Sequence, residues 1–66
     1  MKFTIEIYST AGDGSEWLLH RTTVVAINPL GARKEAIHLV AEWKRRRANG
    51  ARVLNAQGQQ LFDLSE

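Results

Sequence analysis

Cysteine is absent from this 66-residue chain. That removes disulfides and thiolate metal sites as ways of holding a small fold together. Long apolar runs are missing as well. The longest, "WLL" and "VVAI", fall far short of the roughly 20 residues a membrane-spanning helix requires. "MKFTIEIYS" is interrupted by Glu6 before it can form the apolar stretch of a signal peptide, so a soluble cytoplasmic protein without membrane contact is expected. There is no internal repeat and no low-complexity segment. Acids disappear between Glu42 and Asp63, where Lys44, Arg45, Arg46, Arg47 and Arg52 supply five of the nine basic residues.

What is present fits one small folded domain, residues 1–66. Hydrophobic residues at 44% and charged residues at 24% exclude a disordered chain. A chain this short buries only about 60% of its unfolded surface. Self-association is the remaining common device for strengthening so small a core.

"KFTIEIY" alternates, with Phe3, Ile5 and Ile7 on one face and Thr4, Glu6 and Tyr8 on the other, which predicts a half-buried strand. "STAGDGS" suits a hairpin connection longer than the tight two-residue type. "EWLLHRTTVVAI" is a second strand whose alternation breaks; either a bulge shifts it near "HRTT" or its middle runs past the core. Depending on that shift, Tyr8, Leu18, Val24 or Phe62 falls on the uncovered sheet face.

Asn28 is a good N-cap and Pro29 suits the first helical position, predicting one helix over residues 29 to 49. Ala32, Ala36, Leu39, Val40 and Trp43 share a face, widened by Leu30, Ile37 and Ala41. Ile5, Ile37, Val40 and Trp43 are therefore expected to be buried together. Asn49-Gly50 is the expected stop, with Gly50 in the left-handed cap conformation. "ARVLNAQGQQLFDL" closes the chain as a hairpin, with Gly58 supplying a positive φ in "NAQG". The expected fold is α+β: a ββαββ chain whose four-stranded, mostly antiparallel sheet, in the order 2-1-3-4, carries one long helix on one face.

"RKEAI" early in the helix, the "ANGARVLN" exit and "NAQGQQ" before the last strand resemble small bacterial hairpin-helix-hairpin domains of unknown function, over residues 17 to 64. The resemblance implies the ββαββ fold and a bacterial origin, and it transfers no site residue.

Enzyme chemistry finds little material. His38 has Glu35 and Glu42 within one turn, yet acid–base work needs a pocket that excludes water, and one helix over a small sheet offers none. Two histidines without cysteine do not complete a zinc site. "GDG" at residues 12 to 14 runs into a strand, whereas a phosphate cradle runs into a helix. No catalytic residue, metal or cofactor is expected. Lys44, Arg45, Arg46, Arg47 and Arg52 remain as candidate nucleic-acid contacts, although one or two cations would already complement the helix dipole and Arg46 is placed to pair with Glu42. Two function classes follow. One is a non-enzymatic interaction module with a protein partner or its own copy, self-associating through a strand edge or the open sheet face. The other is weak, sequence-tolerant nucleic-acid binding through the basic helix end.

Overall fold

The computed structural model describes residues 1–65. Its elements are β1 (Lys2–Thr10), β2 (Glu16–Val25), α1 (Pro29–Trp43), a 3-10 turn (Lys44–Arg46), β3 (Gly50–Leu54) and β4 (Gln60–Ser65). The strands form one sheet in the order β2-β1-β3-β4, every neighbouring pair antiparallel. This is the ββαββ layout and strand order expected from the sequence.

Alternation in β1 sends Phe3, Ile5 and Ile7 under the helix, where all three are essentially inaccessible. Val53 of β3 joins them opposite Ile5. The helix meets them with a seam of small residues, Ala32, Ala36 and Val40, all buried. Small side chains let the helix sit close to the sheet, and the seam is narrower than the sequence pattern implies. Leu30 and Ile37, expected to widen it, are instead 67% and 43% exposed, and Ala41 is exposed too. Ile5 and Val40 are buried as expected. Trp43 is only half-buried, packed against the edge of the core and stacked on His20 with ring centroids 4.9 Å apart.

The irregular alternation of β2 is a bulge. Ile7 pairs with His20 and Tyr8 with Leu18, so Leu19 is the extra residue, just ahead of "HRTT". The strand ends at Val25, and Ile27 is 91% exposed beyond it. With this register, Val24 and Phe62 pack on the helix side, while Tyr8 and Leu18 fall on the open face.

The helix start follows the sequence: the Asn28 side chain accepts from the Gly31 N–H at 3.0 Å, with Pro29 first in the helix. The end does not. Helix α1 stops at Trp43, one 3-10 turn follows, and the left-handed position is taken by Arg47 at φ 70°, not by Gly50. Gly50 lies in β3, paired with Tyr8, and a Cβ there would stand 2.3 Å from Tyr8 Cζ. Its missing side chain is the space that the Tyr8 ring fills. Gly58, as expected, turns the last hairpin at φ 84°.

Candidate functional site

The predicted basic residues separate into two places. Lys44, Arg45, Arg46 and Arg47 gather at the helix exit, all exposed. Arg52 is not with them. Strand β3 carries it onto the open sheet face opposite Glu6, where Nη1 lies 3.5 Å from Glu6 and Nη2 bonds Glu16. Its guanidinium carbon also sits 4.4 Å from the centroid of the Tyr8 ring. Arg21 approaches the same Glu6 at 3.7 Å. Cross-strand register produces this network: Glu6 pairs with Arg21 on one side and Arg52 on the other.

Tyr8 completes the open face. Only 4% exposed, it donates its hydroxyl proton to Asp63. Burial first, then the hydrogen bond and negative charge of Asp63, push the Tyr8 hydroxyl up to about 12, with nearby Arg52 acting in the opposite direction. The folded state therefore favours the neutral phenol. The stability it contributes is fully present below pH 10, the ordinary tyrosine value, and is lost as pH rises from 10 to about 12. Tyr8 is the sole tyrosine, so phenolate absorbance reads it directly. The midpoint should lie near 12 in the native chain. Asp63→Asn should lower it without restoring the ordinary value, because burial persists. A native midpoint at 10 would show that Tyr8 is neither buried nor bonded to Asp63.

At the helix exit the arrangement is different in kind. Arg46 does not pair with Glu42; its guanidinium carbon lies 5.0 Å from the centroid of the Trp43 ring. Among the described residues no carboxylate pairs with Arg45, Arg46 or Arg47. Arg46 and Arg47 line an open cleft of about 540 Å³, facing Trp17 and Leu19 of β2 and Ser9 of β1, with Asn49 at its base. Both ends of the Asn49 side chain are engaged: its oxygen accepts from Thr10 N at 2.9 Å and its nitrogen donates to Thr10 O at 3.0 Å. That pair clamps the first hairpin to the helix exit and fixes the cleft walls. Trp17 is 54% exposed. Only the register across the Leu19 bulge puts it beside the arginines.

His38, Glu42 and Arg45 border a second depression of about 480 Å³ on the solvent side of the helix, all three exposed. Among the described residues no group of three His, Asp or Glu side chains converges as metal ligands would. Among the described residues no helix is long and apolar enough to cross a membrane. Comparison with protein-family models, curated proteins and solved structures finds no match for this chain.

Proposed function

We propose that this chain is a non-enzymatic interaction module that self-associates through the free edge of β2. One observation carries the reading: a ten-residue strand at the border of the sheet, paired on one side only, leaves Arg21, Thr23 and Val25 exposed along its regular stretch, Val25 at 75%. Helix α1 packs over β3, β1 and β4 and leaves most of β2 outside its footprint. Lysine and proline, common guards of a free edge, are absent from β2, and its bulge at Leu19 lies ahead of the regular stretch His20 to Val25. The opposite edge, β4, also carries a charge and a register shift, and it is shorter, six residues against ten. An edge fits better than the open face, whose centre is occupied by the internally paired Arg21, Glu6, Arg52 and Glu16.

The bulge at Leu19 leaves His20 to Val25 as the regular stretch. A second copy running antiparallel about Thr23 sets Thr23 against its own copy and Arg21 against Val25, so like charges do not meet. The melting temperature should rise with protein concentration, since association favours the folded state by mass action. Thr23→Lys combined with Val25→Lys should abolish that dependence and give a monomer with unchanged circular dichroism. Sedimentation showing only monomer for the unaltered chain, with melting independent of concentration, removes the reading.

A second reading is weak, sequence-tolerant binding of nucleic acid through the helix exit. It is favoured by Arg45, Arg46 and Arg47, exposed side by side with no carboxylate partner among the described residues. About three phosphate contacts correspond to a log–log salt slope near −3 on duplex DNA. Arg45→Gln with Arg46→Gln should flatten it by about two units. Arg52→Gln should leave the slope unchanged, because Arg52 is held by Glu6 and Glu16. An equal loss from Arg52→Gln would place the contact surface on the sheet instead.

A further inference from the structure

We propose that the cleft beside the helix exit recognises single-stranded nucleic acid, a base stacking on Trp17 while Arg46 and Arg47 hold its phosphates. The inference rests on the basic-end reading above and adds a ligand class and a stacking residue to it. Guanidinium groups alone read phosphate on duplex and single strand alike. An exposed aromatic beside them adds a contact that a base can make only when it is out of a duplex stack.

Three features mark the cleft as built for a ligand with both an aromatic and an anionic part. Trp17 leaves more than half its surface in solvent, although a tryptophan of a small fold contributes most to stability when buried. Arg46 is positioned over Trp43, which orients its guanidinium without consuming its charge. Arg47 occupies the left-handed region at φ 70°, which disfavours a residue with a Cβ and suits glycine. The chain keeps an arginine at that position and the side chain lines the cleft. Strain of this kind concentrates at ligand sites. The Asn49–Thr10 clamp then holds Trp17's hairpin at a fixed separation from the two arginines. Edge pairing over His20 to Val25 leaves Trp17 outside the paired stretch, so the cleft stays open in the self-associated form.

The test is fluorescence anisotropy with a labelled oligothymidylate of about 12 nucleotides and a duplex of the same length, at about 50 mM salt. The unaltered chain should bind the single strand about tenfold more tightly than the duplex. Trp17→Ala should remove that preference, leaving duplex affinity and the circular dichroism of the folded chain unchanged, and Trp17→Phe should keep most of it. Equal affinity for both ligands, or a Trp17→Ala loss of equal size on both, overturns the inference and leaves the basic-end reading standing. No retention of either ligand removes both. Thymidine monophosphate competing as well as the strand, nucleotide for nucleotide, would make the ligand a free nucleotide and overturn the assignment to a strand.

Discussion

Gly50→Val should destabilise the fold by about 1–3 kcal/mol, even though valine is among the best strand formers and glycine among the poorest. Propensity alone favours the substitution by something under about 1 kcal/mol. Packing decides against it. A Cβ at position 50 meets Tyr8 at 2.3, 2.4 and 2.6 Å from Cζ, Oη and Cε1, so the ring must leave. With it go the hydroxyl bond to Asp63 and the surface on which Arg52 rests. Two readouts separate this from a general loss of stability. The urea midpoint should fall, and the tyrosine titration should move back toward its ordinary value in the molecules that remain folded. A midpoint that rises would mean that the ring does not rest on Gly50.

Phe3→Ala should cost more, about 3–5 kcal/mol. Phe3 is 1% exposed in a core with Ile5, Ile7, Ala32, Ala36, Val40 and Val53. Folded chains are stable by about 0.05–0.15 kcal/mol per residue, or about 3–10 kcal/mol for this one, so the variant is unfolded or close to it. Ile37→Ala is the informative partner, since the sequence pattern ranks Ile37 with the core. At 43% exposure it should cost well under half as much, measured as a shift in urea midpoint at constant slope. Equal losses would mean that the helix is rotated to bury Ile37.

Ile37 also shows where the sequence stops being informative. Alternation in "KFTIEIY", the Asn28-Pro29 start and the Gly58 turn are local signals, each read within a few residues and each found in the fold. The width of the buried helix face is not local. It depends on how closely Ala32 and Ala36 let the helix approach the sheet, and that sets which flanking positions reach solvent. Gly50 is the sharper case. Local chemistry marks Asn49-Gly50 as a helix stop, but a tyrosine more than forty residues earlier needs that glycine in a strand. The stop then falls to Arg47, against residue preference. For the candidate site, four of the five predicted contacts gather at the helix exit because they are consecutive, with Arg46 and Arg47 on the cleft and Arg45 on the solvent side of the helix. Arg52 parts from them through pairing with Glu6, and Trp17 joins them across a bulge; both are consequences of register.

The capture of Arg52 by Glu6 and Glu16 also shapes the field around the molecule. Net charge is +2, and Arg45, Arg46 and Arg47 alone supply +3, so the other six basic residues are outnumbered by seven acids. With the sheet-face charges compensating one another, the exposed arginines at the helix exit are the densest basic cluster among the described residues, on a body measuring 35 × 21 × 16 Å. Such a body behaves as an electric dipole with one attractive pole. An approaching polyanion feels little at a distance beyond the screening length of about 8 Å in physiological salt, and within it a torque that turns the helix exit toward it. If the proposed binding at the helix exit holds, orientation would precede contact and the encounter rate would share in the dependence on ionic strength.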